Sequence, residues 1–107
     1  NSATLELDMA KLGIDLQEGF ENDEVVVTID GQESFRHTAV RTKRVLGLAM
    51  NDTIDVANGK HAIEISVPTR NLHHKLTINL RDELHLGISL RGSELDVITR
   101  EERFGYG

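Results

Sequence analysis

Apolar and polar residues alternate in short runs along most of the chain. In "EVVVTID" (24–30) Val25, Val27 and Ile29 share one face, and in "GKHAIEISV" (59–67) Ile63, Ile65 and Val67 do. "KLTINL" (75–80) sets Leu76, Ile78 and Leu80 in phase, and "LHLGISL" (84–90) sets Leu84, Leu86, Ile88 and Leu90 in phase. Residues two apart lie on the same face of an extended chain, so each run predicts a half-buried strand. Short strands broken by turn residues every ten positions or so predict an all-β fold. The expected form is an antiparallel β-sandwich of roughly seven to nine short strands joined mainly by hairpins.

Turn chemistry then sets the register, because a loop of the wrong length turns a strand's apolar face to solvent. Asn58-Gly59 has the type I′ signature and predicts a hairpin pairing Val56 with His61 and Ile54 with Ile63. At "IDGQE" a two-residue Asp30-Gly31 turn would oppose Val27 and Ser34. A three-residue loop, Asp30-Gly31-Gln32, pairs Val27 with Phe35 and is the preferred reading. "RDE" (81–83) predicts a hairpin with Leu80 opposite Leu84, Ile78 opposite Leu86 and Leu76 opposite Ile88. "RGS" (91–93) then turns into a further strand, "ELDVI".

Two stretches are open between patterns. Leu5, Met9, Leu12, Leu16 and Phe20 fit a helical stripe, which would send Leu7 and Ile14 to the opposite side. Read as strands, Leu5/Leu7/Met9 and Leu12/Ile14/Leu16 each alternate, with a phase break at Ala10-Lys11 that suggests a bulge or turn. The strand reading is preferred. "VLGLAMND" (45–52) fits either a strand or one helical turn. Pro68 follows a strand, where its missing N–H does no harm.

The totals narrow the function classes. At 107 residues, without a divided composition, the chain (1–107) reads as one domain able to bury a single core. There is no cysteine, which excludes disulfides, thiolate metal sites and a cysteine nucleophile. No run of some 18 apolar residues predicts a membrane span. The net charge of −6 argues against nucleic acid, whose binding rests on neutralising phosphates. The chain begins at Asn1 without a methionine, which fits a processed end, and a signal peptide upstream would leave no trace.

Charge is uneven. "RHTAVRTKR" (36–44) holds Arg36, Arg41, Lys43 and Arg44 without an acid, in a chain of 12 bases and 18 acids. The segment reads as a solvated strand or loop face, or, functionally, as a contact patch for an acidic partner.

Five histidines are the other candidate chemistry. In the expected 72–80/84–91 hairpin, His73 pairs across with Arg91 and His85 with Asn79. Their rungs then lie six residues apart, roughly 20 Å, too far to share a zinc ion held within about 2.1 Å of each nitrogen. His74 and His61 read as rim-of-core residues that leave a nitrogen to water, and His37 belongs to the basic segment. A site from separate hairpins, such as His61 with His74, is the alternative. No G-x-S-x-G, H-E-x-x-H or Walker pattern occurs, and "NDTID" (51–55) lacks the glycine and terminal glutamate of an EF-hand. Only Phe20, Phe35, Phe104 and Tyr106 could form an aromatic glycan platform, and Phe35 reads as core. "ERFGYG" reads as a last strand or as a tail folded onto a sheet.

"VVVTIDGQESF", "ANGKHAIEISV" and "KLTINL" together resemble PEGA-type small β-sandwich modules, which run a V-x-V-D-G hairpin, then a G-x-H-x-V-x-V strand, then closing strands. The likeness spans residues 25–90, with Ile29, Asp30 and Gly31 in the first element and Gly59, His61, Ile63 and Ile65 in the second. The P-E-G-A tetrapeptide itself is missing, and the segment 36–56 is longer and more basic than the pattern. The resemblance implies a sandwich, a non-catalytic role and an exported or cell-envelope setting, and no site residues.

The sequence thus leads us to expect a non-catalytic binding or assembly module, with no catalytic residues, metal ligands or cofactor. Its contact would be a protein partner met by Arg36, Arg41, Lys43 and Arg44 through charge-assisted hydrogen bonds, or self-association, with an open edge strand giving a homodimer. The alternative is a small hydrolase-like or metal-dependent enzyme using a His–carboxylate pair brought together from separate hairpins.

Overall fold

Each alternating run forms a strand in the computed structural model, which describes residues 9–106. Among the described residues the strands are β1 (Met9–Leu16), β2 (Glu21–Ile29), β3 (Gln32–Arg41), β4 (Met50–Ala57), β5 (Gly59–Val67), β6 (Leu72–Leu80), β7 (Glu83–Arg91) and β8 (Glu94–Arg100), with a 3₁₀ turn at Pro68–Arg70. They build two four-stranded sheets, ordered β4-β1-β7-β8 and β3-β2-β5-β6. All neighbours are antiparallel except β1 and β7, which run parallel with Leu12 beside Leu84 and Ile14 beside Leu86. The fold is an all-β sandwich. Among the described residues no helix is long and apolar enough to cross a membrane.

The core is the set of in-phase positions found by alternation. Leu12, Ile14, Leu16, Leu86, Ile88 and Leu90 from one sheet pack with Val25, Val27, Ile63, Ile65, Val67, Ile78 and Leu80 from the other. Phe20 and Phe35 are buried with them. Alternation thus identifies the inner face of nearly every strand. The preferred strand reading holds for Leu12, Ile14 and Leu16, whereas Leu5 and Leu7 lie outside the described residues. The break expected at Ala10-Lys11 does not occur: β1 keeps one register against β4 from Met9 to Leu16, with Ala10 buried in phase with Leu12.

Two of the expected hairpins are crossings between sheets. At Asn58-Gly59 the chain passes from β4 in one sheet to β5 in the other, and at "RDE" from β6 to β7. The rungs Ile54–Ile63, Leu80–Leu84, Ile78–Leu86 and Leu76–Ile88 therefore do not exist. Ile63 pairs with Leu76, and Ile54 with Leu12. Both sheets feed one core, so a crossing keeps apolar faces inward just as a hairpin does. The two crossings are tied together by Asp82 N donating to Asn58 Oδ1 at 3.2 Å.

The hairpins are β2–β3, β5–β6 and β7–β8. Val27 pairs with Phe35 as expected, but by another route. The turn has two residues, Asp30 and Gly31, both at positive φ (52° and 82°), and Ile29 pairs with Gln32. A register shift between Val27 and Thr28 then restores the apolar pairing. At the other end of the sandwich Gly19 (φ 89°) carries the chain from β1 to β2, and a β-carbon there would lie 2.0 Å from the Leu90 carbonyl oxygen.

The 45–52 stretch takes both forms in part, a single closed turn up to Leu48 and then strand β4 from Met50. Leu46 N and Gly47 N both donate to the Lys43 carbonyl, and Lys43 and Leu48 form an isolated bridge. The result is a closed turn, after which β4 begins at Met50.

Candidate functional site

The basic segment divides into two parts. Arg36 projects from β3 into two acids: Nη1 donates to Glu24 at 2.6 Å and Nη2 to Glu33 at 2.7 Å. Those bonds hold the Glu33 carboxyl below its ordinary value and the guanidinium above its own, so the charge of Arg36 is matched within its own sheet. Arg41, Lys43 and Arg44 enter none of the ion pairs among the described residues.

Thr42 anchors the 42–49 turn to the sandwich. Its hydroxyl donates to the Gln17 carbonyl at 2.7 Å and accepts from Phe20 N at 3.0 Å, and its own N–H donates to the Phe20 carbonyl. The turn beyond it projects Val45, which is 93% exposed, beside the half-exposed Leu46. Arg41 and Arg44 line a groove of about 500 Å³ together with Glu18, Glu21 and Gly47. The apolar tip follows Lys43 and Arg44 directly in the chain.

The histidines are dispersed. His73 is exposed on β6 and His85 buried on β7, in different sheets, so the rungs His73–Arg91 and His85–Asn79 are replaced by His73–Ser66 and His85–Arg100. His61 and His74 lie on adjacent strands, but His61 pairs with Ile78, four residues along β6 from His74, about 13 Å. His37 stacks edgewise on Phe35 with ring centroids 4.7 Å apart. Among the described residues no group of three or more His, Asp or Glu could hold a metal ion.

One His–carboxylate pair does come from separate hairpins. His61 Nδ1 lies 2.6 Å from Asp30 Oδ2, and Nε2 lies 2.7 Å from the Ala57 carbonyl oxygen. A carbonyl and a carboxylate only accept, so both nitrogens donate and the imidazolium is favoured. Asp30 and then Ala57 raise the His61 pKa, while His61 and the Ala62 N–H lower that of Asp30. No nitrogen is left to water or to take a proton from a substrate. The pair is a staple that holds the β2–β3 turn onto β5.

Sequence reasoning missed a second polar cluster, on the outer face of the β4-β1-β7-β8 sheet. Asp15, His85 and Ser89 are outward residues that are nevertheless only 3–6% exposed: the segment after β8 folds back over Asp15 and His85, and Ser89 accepts a hydrogen bond from Glu18 N. Tyr106 donates its hydroxyl to Asp15 Oδ2 at 2.6 Å and accepts from Gln17 Nε2 at 2.9 Å. Burial, with the bond to Asp15, pushes the Tyr106 phenol up to about 12, so it serves as a neutral donor. His85 Nε2 donates to Glu83 at 2.5 Å. Its Nδ1 lies 2.2 Å from where a β-carbon on residue 13 would stand, so glycine there is what admits the ring. A cavity of about 270 Å³ remains between Asp15, His85, Arg103, Phe104 and Tyr106. The terminal aromatic pair is thus a tail folded onto the sheet, and the signal that could have found its seat is the run of small residues, Gly13, Gly87 and Ser89, on the polar faces of β1 and β7.

Asp23 was also missed. It lies in phase with Val25 and Val27 on β2, and Arg70 meets it with Nε and Nη2, each at 3.0 Å. Thr69 Oγ1 and Glu21 N also donate to it. Among the described residues every buried side-chain nitrogen and oxygen has a hydrogen-bond partner. These networks are internally complete, whereas Lys43 and Arg44 in the 42–49 turn, like Lys60, Lys75 and Arg81 elsewhere, enter no ion pair among the described residues. Comparison with protein families, curated proteins and solved structures found no match to the chain.

Proposed function

We propose that the domain is a non-catalytic binding module that engages an acidic protein surface through the turn between β3 and β4. The observation that carries this reading is Val45, 93% exposed at the tip of a hydrogen-bonded turn and flanked by Lys43 and Arg44. A fully buried valine contributes about 1.5–3 kcal/mol, which this fold forgoes at Val45 and a partner surface would recover. Arg41, Lys43 and Arg44 supply the cations for charge-assisted bonds around that contact. Arg36, already bonded to Glu24 and Glu33, is left out of the patch. The turn is braced by Thr42 against the β1–β2 connection at Gln17 and Phe20, so its shape is set before binding and the ordering cost is small.

A random-peptide display selection against the immobilised domain tests the reading. Enriched peptides should combine apolar residues with Asp and Glu, and Val45→Asp or Arg44→Glu should abolish their capture. Absence of enrichment, or enrichment that ignores both substitutions, would overturn it.

A further inference from the structure

Strand β6 has the open edge best suited to meet another copy of itself. Among the described residues four strands lie at sheet edges: β3, β4, β6 and β8. Natural sandwiches blunt such edges with bulges and charges. β3 is broken by Ala39 at φ 56° and by the register shifts of its pairing with β2. β4 carries Asp52 and Asp55, and β8 carries Glu94, Asp96 and Arg100. β6 has no bulge and carries fewer charges than β4 or β8. It pairs with β5 without a break from Leu72 to Leu80 and has no residue at positive φ. Lys75 is its one residue of full charge.

We infer that two copies of this chain pair through antiparallel β6 strands about a twofold axis at Leu76. The register follows from the sequence "LHHKLTINL". Centred on Leu76, Lys75 meets Thr77 of the second copy, His73 meets Asn79, His74 meets Ile78 and Leu72 meets Leu80. No like charges oppose each other. The polar residues His73, Lys75, Thr77 and Asn79 are exposed and stay on the outer face. Leu72, His74 and Leu76, half-buried at the sandwich rim, gain cover on the inner face, with Leu76 against its own twofold mate. The two β3-β2-β5-β6 sheets join into one, and the interface is isologous, as a closed dimer requires. This surface is separate from the 42–49 turn, and the dimer presents two such turns.

Sedimentation velocity of the full chain over a hundredfold concentration range tests it, with Thr77→Lys, Lys75→Glu and the double variant beside the wild type. Thr77→Lys sets two lysines opposite each other twice across the axis and should weaken dimerisation about tenfold. Adding Lys75→Glu turns both clashes into Glu–Lys pairs and should restore it, while Lys75→Glu alone, facing Thr77, should leave it near wild type. Hydrogen exchange should show β6 amides gaining protection with concentration. A wild type that stays monomeric throughout overturns the inference. So does a dimer indifferent to Thr77→Lys, or one that Thr77→Lys weakens and Lys75→Glu fails to restore.

Discussion

Arg70 grips Asp23 with two nitrogens, Nε on Oδ1 and Nη2 on Oδ2, both at 3.0 Å. The acid is 3% exposed and comes from β2, whereas the base comes from the 3₁₀ turn between β5 and β6. Nη2 also donates to the Gly19 carbonyl, so one guanidinium joins the β5–β6 connection to strand β2 and to the β1–β2 connection. Removing it leaves a buried carboxylate held by Thr69 and the Glu21 N–H alone. Arg70→Ala should therefore lower unfolding free energy by about 3 kcal/mol, measured by urea denaturation. Arg70→Lys loses the two-pronged geometry and should fall between.

The same pair sets an acid limit. Burial raises the Asp23 pKa, but the bonds from Arg70, Glu21 N and Thr69 outweigh it and hold the carboxyl below 3.8. A carboxylate with a depressed folded pKa stabilises above its unfolded value, and that stabilisation is lost as pH falls through the folded one. The thermal midpoint should drop below pH 4 in the wild type, and this part of the drop should be missing in Asp23→Asn.

His61 acts at the other limit. Its folded pKa lies above 6.5 because Asp30 and the Ala57 carbonyl favour the imidazolium. Its contribution is complete below the unfolded value and disappears as pH rises through the raised one. Thermal midpoints measured from pH 5 to pH 9 should fall in the wild type and flatten in His61→Gln. Nitrogen-15 spectra at pH 6 should show both His61 nitrogens protonated; a neutral ring there would contradict the staple.

The inner faces of the strands were legible because period-two alternation reports directly on burial. Lateral neighbours were not. Leu76, Ile78 and Leu80 turn inward with Leu84, Leu86 and Ile88 whether β6 and β7 share a sheet or lie in opposite sheets around one core, so register could not separate hairpin from crossing. One of the two Arg36 ion pairs depends on Glu24 arriving from the adjacent strand and the other on Glu33, just outside the basic run, so a count of bases over 36–44 shows neither. Asp23 did leave a trace, as an acid in phase with Val25, Val27 and Ile29. Asp15 left none, because its burial comes from a segment about ninety residues later in the chain.

That C-terminal segment is held by close packing as well as by hydrogen bonds. Phe104 Cζ and the Gln17 amide atoms Nε2 and Oε1 each lie 2.9 Å from where a β-carbon on residue 87 would stand. Gly87→Ala should push the ring and Gln17 away and release residues 101–106, read as faster proteolysis of the C-terminal end. Tyr106→Phe removes the hydrogen bond to buried Asp15 and should cost about 1–3 kcal/mol without altering the sandwich.

The 42–49 turn makes the contrasting case. Val45 touches too little of the fold to support it, so Val45→Asp should change unfolding free energy by no more than about 0.5 kcal/mol. Ile14→Ala, at a fully buried position in β1, should cost about 2–5 kcal/mol. The exposed valine should still govern contacts. Val45→Asp should shorten retention on a weakly hydrophobic column while the thermal midpoint stays fixed. If instead Val45→Asp lowers the midpoint as Ile14→Ala does, the tip packs against the domain and is not a free contact surface.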